Sequence, residues 1–285
     1  MRATSNPVFK NLPKQETGHA SFGSAAAGAG QLGYQYGNQQ YPPQYQQQPY
    51  PPQAPTRSLT IDDVVTKTGI TLGVLALSAL VTYILTSANT ALAPMFVIGG
   101  GIIGLVLVLV ATFGRKMDNP AIVLAYAVAE GVFVGALSFM FTDITFGGAG
   151  GAGMIGQAVL GTFGVFAGML VVYKTGAIRV TPRFTRMLIG AMIGILVLIV
   201  GNLVASFFTD GGFGLRDGGP VAIIFSLVVI AIAAFSFLLD FDAADQLIRA
   251  QAPPKAAWGV ALGLTVTLVW LYVEILRLLS YFQSD

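Results

Sequence analysis

The sequence predicts an all-α membrane protein, a bundle of seven transmembrane helices preceded by a disordered N-terminal tail. Three observations predict the membrane bundle. Seven apolar stretches follow one another between residues 69 and 282: Gly69–Thr86, Pro94–Gly114, Pro120–Thr142, Gly153–Tyr173, Met187–Phe208, Pro220–Asp240 and Ala256–Phe282. Each is close to the roughly 20 residues a helix needs to cross a bilayer. Only 10% of the residues are charged, against about 25% in a soluble domain, and the mean hydropathy is +0.72. Within lipid every backbone N–H and C=O must be satisfied inside the protein, so each span is expected to be a helix.

Residues 1–57 are of another kind. The run 31–55, QLGYQYGNQQYPPQYQQQPYPPQAP, is built of Gln, Tyr, Pro and Gly with almost no aliphatic side chain. Such a composition buries too little apolar surface to offset its ordering entropy and is expected to be a disordered cytoplasmic tail. Residues 58–285 then form the seven-helix domain. The polar start and late first apolar run argue against a cleavable signal peptide and make the first span a signal anchor. Residues 58–67 (SLTIDDVVTK) read as an amphipathic lead-in, with Ser58 or Thr60 as cap and Asp62 and Asp63 in the first turn.

Cysteine is absent and the one histidine, His19, lies in the tail. Disulfides, thiolate nucleophiles, Cys or His metal sites and His-based triads are therefore excluded. A net charge of +2 gives no footprint for nucleic acid. The last span has no Schiff-base lysine, and neither a Gly-x-Gly-Asp nor a Gly-x-Ser-Gly protease motif is present. No enzyme and no cofactor is expected. The Gly-rich run Phe146–Gly153 lacks the Lys-Ser/Thr of a phosphate loop and reads as a flexible linker.

Basic residues set the expected orientation. Arg115, Lys116, Lys174, Arg179, Arg183, Arg186, Arg249 and Lys255 fall in loops on one side, whereas the loops of the other side hold Arg216 alone. The N-terminus is expected in the cytoplasm and the C-terminus outside. Small residues recur four apart at Gly100/Gly104, Gly131/Gly135, Gly164/Gly168, Gly190/Gly194 and Gly259/Gly263, a spacing that lets helix backbones approach closely.

Ionisable residues inside spans are costly and are the first functional candidates. Glu130 lies near the middle of the third span, Glu274 in the seventh, and Asp240 closes the sixth, followed by Asp242 and Asp245. Local pairing is one reading: Glu274 with Arg277 three residues on, and Asp245 with Arg249 four residues on. Glu130 has a plain reading too, a hydrogen bond to a neighbouring helix. Asp240 and Asp242 point to nearly opposite sides of a helix, so at most one faces the interior. The sharper reading is a carboxylate pair between the last two helices. Two such groups in low dielectric share a proton and form a pH-sensitive latch, and their oxygens are hard ligands suited to Ca²⁺.

Three segments resemble the Bax inhibitor-1 family (the transmembrane Bax inhibitor motif proteins), in its prokaryotic branch. They are Phe235-Ser236-Phe237-Leu238-Leu239-Asp240-Phe241-Asp242, Val269-Trp270-Leu271-Tyr272-Val273-Glu274-Ile275-Leu276-Arg277-Leu278-Leu279, and Ala125-Tyr126-Ala127-Val128-Ala129-Glu130-Gly131. The resemblance covers about residues 60–282. It implies a bacterial plasma-membrane protein whose last helix is wrapped by the other six. It also implies a pH-sensitive Ca²⁺ leak controlled by an acid on each of the last two helices. Asp240 and Glu274 match those acids, which makes them the candidate Ca²⁺ ligands, and Arg115 matches a basic partner of the pair in some members. The seventh-helix acid is Glu where Asp is familiar. If the chain turns at Pro253-Pro254, Asp240 lies roughly 20 Å above the turn and Glu274 roughly 30 Å, at 1.5 Å per residue. That mismatch makes Glu130 a competing partner for Glu274 and leaves Asp242 as a substitute for Asp240. The expected function is a proton-gated Ca²⁺ leak, with protons, Ca²⁺ and the lipid bilayer as partners. The alternative is a non-conducting regulator that binds a membrane protease or a stress-response protein.

Overall fold

The computed structural model describes residues 57–144, 151–209 and 212–283. The tail, and residues 145–150 of the Gly-rich run, lie outside the described residues; Gly151 to Gly153, read as linker, instead begin a helix. Among the described residues the architecture is seven α-helices in chain order: α1 (Ile61–Ala88), α2 (Leu92–Phe113), α3 (Pro120–Phe139), α4 (Gly151–Thr175), α5 (Pro182–Ala205), α6 (Pro220–Arg249) and α7 (Ala257–Gln283). All seven contain a segment long and apolar enough to cross a membrane. Many large apolar side chains point outward, among them Leu77, Ile98, Leu160 and Leu196. In water this would be a liability; in a bilayer it is the lipid-facing surface.

Local signals explain the boundaries. The lead-in and first span are one helix, because Thr60 caps it and Asp63 returns the bond to the Thr60 N–H, a capping box. Proline stands at the start of α3, α5 and α6, where its missing N–H costs nothing. Asn119 caps α3 and Thr181 caps α5. A π-turn, Met140–Ile144, follows α3, and a short 3₁₀ turn, Pro254–Ala256, leads into α7.

The last helix is the core of the bundle. α7 packs against α1, α3, α4 and α6, while α2 packs mainly on α3 and α5 on α6. α2 reaches α7 through the cluster of Ala111, Val123, Tyr126 and Leu262. The two outer helices therefore meet α7 less directly than a uniform ring of six would.

One end of the bundle is tied by polar contacts between distant segments. The Leu59 N–H donates to the Ala252 carbonyl at 2.8 Å, and Lys67 Nζ donates to the Pro254 carbonyl. Lys255 pairs with Asp118 at 2.7 Å, joining the α2–α3 turn to the start of α7. The Lys255 ammonium, donating to Asp118, holds that carboxyl below its ordinary value. This tie is fully formed above the usual carboxylate range and is lost as the pH falls through the lowered value.

The small-residue pairs separate by packing. A Cβ on Gly135 would lie 2.2 Å from the Ala79 carbonyl oxygen, and one on Gly131 would lie 2.5 Å from that of Leu75, so α1 and α3 touch backbone to backbone. Gly164, Gly168, Gly190 and Gly194 have nothing within 4 Å and need no glycine for space. Gly135→Val is expected to lower stability by about 1–3 kcal/mol, since backbone cannot move aside as a side chain can. Gly164→Ala should be near neutral. Thermal unfolding of the two purified variants in detergent checks the contrast.

Candidate functional site

α6 and α7 are joined by polar contacts at two levels, each built around one of the predicted carboxylates. At the first, Thr267 Oγ1 of α7 donates to Asp240 Oδ2 of α6 at 2.7 Å. The Gly263 carbonyl of the same helix lies 3.2 Å from that hydroxyl. A hydroxyl has one proton, and the shorter, charge-assisted bond takes it. A Cβ on Gly263 would lie 3.5 Å from Asp240 Oδ1, an ordinary contact, so the carboxylate stands close to the α7 backbone without requiring glycine there. Asp240 is half-buried and Thr267 buried.

At the second level Glu274 of α7 is 2% exposed. Its Oε1 accepts from Ser226 Oγ of α6 at 2.8 Å. Its Oε2 accepts from Arg277 Nη1, one turn further along α7, at 2.5 Å. The charge is thus compensated within α7, while the contact with α6 is a neutral hydroxyl. Arg216, in the α5–α6 connection, lies in electrostatic range of Arg277 and Glu274, and desolvation together with Arg277 weakens its hold on its proton.

Asp240 and Glu274 are not brought together. Thr267 and Glu274 are seven residues apart on α7, about 10 Å of rise, and Ser226 and Asp240 are fourteen apart on α6, about 20 Å. Ala233 and Phe237 of α6 and Leu268 and Leu271 of α7 belong to one buried cluster in the intervening stretch. A Ca²⁺ ion held by both carboxylates would need their oxygens within twice a bond length of roughly 2.4 Å. The expected shared-proton pair and the shared Ca²⁺ site are therefore replaced by two separate hydroxyl–carboxylate contacts. Among the described residues no group of three His, Cys, Asp or Glu side chains could hold a metal ion.

The other candidates fall away from this interface. Glu130 is half-buried on α3 and faces α2, where a Cβ on Gly104 would lie 2.6 Å from its Oε2. It does not pair with Glu274, whose oxygens are taken by Ser226 and Arg277. Asp242 accepts from Gln246 Nε2 at 2.6 Å and does not substitute for Asp240. Asp245 pairs with Arg249 at 2.8 Å and accepts from the Tyr173 hydroxyl. Arg115 is exposed in the α2–α3 turn with φ 53°, and it is Asp118 of that turn that forms the ion pair. Of the two expected basic partners, only Arg277 reaches a carboxylate of the site.

Sequence reasoning missed the partners Thr267 and Ser226, which carry no charge. Helical register could have found them. Seven residues return a side chain to within about 20° on a helix and fourteen to within about 40°. Thr267 therefore shares a face with Glu274, and Ser226 with Asp240.

A family model described as Bax inhibitor 1 like matches residues 6–284. Among the curated proteins, none matches the chain. The match spans nearly the whole chain and includes all seven apolar helices, and the chain therefore belongs to the Bax inhibitor 1 like family.

Proposed function

We propose that this protein is a cation leak pathway of the plasma membrane, passing Ca²⁺, with its opening controlled by protonation of Asp240. The N-terminus lies in the cytoplasm and the C-terminus outside. The reading assigns it no catalytic step and no resident cofactor. The observation that carries it is the Thr267–Asp240 bond between α6 and α7 at 2.7 Å. An ionised carboxylate makes that bond charge-assisted, roughly twice as strong as a neutral one. Protonation converts it to a neutral bond and weakens the tie between the central helix and its neighbour. The apolar cluster beyond it, with Phe237 and Leu271 fully buried, is the seal that must part for an ion to pass. A single carboxylate with a hydroxyl holds a hard cation loosely, as conduction requires.

The test is Ca²⁺ flux into liposomes of the purified protein across pH 5–8. Flux is expected to rise as the pH falls. Asp240→Asn should give flux that no longer responds to pH and stays near the acidic level. Thr267→Val should raise flux at neutral pH. A difference of about 1 kcal/mol between charged and neutral bonds predicts roughly a fivefold change in the open fraction. Flux no greater than that of empty liposomes, from folded protein, would sink the reading. A non-conducting regulator acting through a membrane-protein partner would then be the better account. One observation favours that second reading: Leu59, two residues after the tail, docks on the α6–α7 turn, so a partner holding the tail would act on α7.

A further inference from the structure

Away from the α6–α7 contacts, a cavity of about 460 Å³ lies between α1, α3, α4 and α7. Its size is that of a small-ligand site, commonly about 300–1,000 Å³. α1 packs on α3 and α7, and α4 on α6 and α7, so the two stand apart at the mouth. Leu80 of α1 and Val159 and Phe163 of α4 form that mouth and are exposed. The cavity lies in the half of the bundle where α1 ends and α4 begins.

The wall is apolar with a few hydroxyls, and these are already engaged. Ser138 Oγ of α3 and the Tyr272 hydroxyl of α7 are 2.8 Å apart, Ser138 also donates to the Val134 carbonyl, and Thr162 donates to Ala158 at 2.7 Å. Nothing in this wall calls for an ion or a water cluster, and apolar cavities stay dry and take apolar guests. Left empty, the lining would forgo its dispersion contacts. The medium at the mouth of a membrane-spanning bundle is hydrocarbon.

We propose that this groove binds one acyl chain of a membrane lipid, inserted between α1 and α4 with its flank against α7. The α7 residues it meets, Leu268, Val269 and Tyr272, lie between Thr267 and Glu274, the two residues that tie α7 to α6. The bound chain therefore braces the central helix from its α1, α3 and α4 side. This site stands independently of the leak reading, because its test reads lipid contact and not flux.

The experiment places the full-length protein in vesicles of phosphatidylethanolamine and phosphatidylglycerol doped with a phospholipid carrying a photoreactive diazirine on its acyl chain. Adducts are mapped by mass spectrometry. They are expected to concentrate on the groove residues of α1, α4 and α7. Ala76→Trp adds bulk at an exposed position in the mouth, where it need not disturb the core. It should abolish the groove adducts while those on the outer faces of α2 and α5 persist, and those remaining adducts report that the variant is folded. Val159→Trp does the same from the α4 side. Labelling spread evenly over α2, α5 and the groove would overturn the proposal in favour of ordinary surrounding lipid. Groove residues shielded from label altogether would also overturn it, assigning the groove to a protein segment or a second copy.

Discussion

Arg277→Leu is expected to destabilise the protein by about 3–5 kcal/mol, the cost of leaving a buried charge without its partner. Glu274 is 2% exposed. Its carboxylate has two observed donors, Ser226 at 2.8 Å and Arg277 at 2.5 Å. Without the guanidinium, Ser226 is the one observed hydrogen-bond donor left to this buried carboxylate, with Arg216 of the α5–α6 connection in electrostatic range. The double variant Glu274→Met/Arg277→Leu should recover most of that loss, because replacing a buried ion pair by apolar groups of similar volume is often neutral. Arg277→Lys should fall between, since a lysine keeps the charge and loses the planar fork. Unfolding temperatures of the three purified variants decide the matter. If Arg277→Leu unfolds with the native protein, Glu274 is not held as a charged group. If the double variant is as weak as the single one, the loss comes from packing.

How much of this was legible in the sequence differs between the scaffold and the site. The spans were legible because a bilayer imposes a length and a composition that few other structures demand. The start of α1 was legible to within a choice of two caps, Ser58 or Thr60, and the structure uses Thr60, in a capping box with Asp63. The close approach of α1 and α3 was not. Gly131/Gly135 and Gly164/Gly168 have the same spacing, and only tertiary packing sets one pair against the α1 backbone and leaves the other facing open space.

In the site, charge drew attention to Asp240 and Glu274, and rise per residue already indicated that they sit at different heights. What charge could not indicate was the partner of each. Thr267 and Ser226 are ordinary residues in membrane helices, and their role follows from register across an antiparallel pair. Arg115 misled for the opposite reason: a basic residue in a turn is conspicuous, yet there it is exposed while Asp118 and Lys255 make the ion pair. For the proposed gating, the consequence is that one carboxylate would respond to protons while the other is held by its own arginine. The two carboxylates share no proton, and flux controlled at Asp240 should follow pH with the steepness of a single site.

Leu59→Ala is expected to cost about 2–5 kcal/mol, as large-to-small changes in a packed core do. Leu59 precedes α1, in the segment read as an amphipathic lead-in, and it is 2% exposed. It packs in the same cluster as Phe237, Phe241, Val260 and Leu264, which flank Asp240 and Gly263 on α6 and α7. Its N–H donates to Ala252 at 2.8 Å, and two turns later Lys67 reaches the Pro254 carbonyl and lies 5.7 Å over the Trp258 ring. The side chain thus plugs the end of the α6–α7 pair while the backbone bolts it to the turn. Removing three carbons leaves a cavity in the cluster that closes the α6–α7 end, and α1 can refill it only by breaking the Ala252 bond. Ile61→Ala, at a side chain 65% exposed, is the matched control and should change stability little. Thermal unfolding measures the cost, and hydrogen exchange at the Leu59 amide measures whether the bolt has opened. A destabilised variant with that amide still protected would show that Leu59 acts by packing alone. Faster exchange there, with flux raised at neutral pH, would show that the segment after the tail helps to hold α6 and α7 closed.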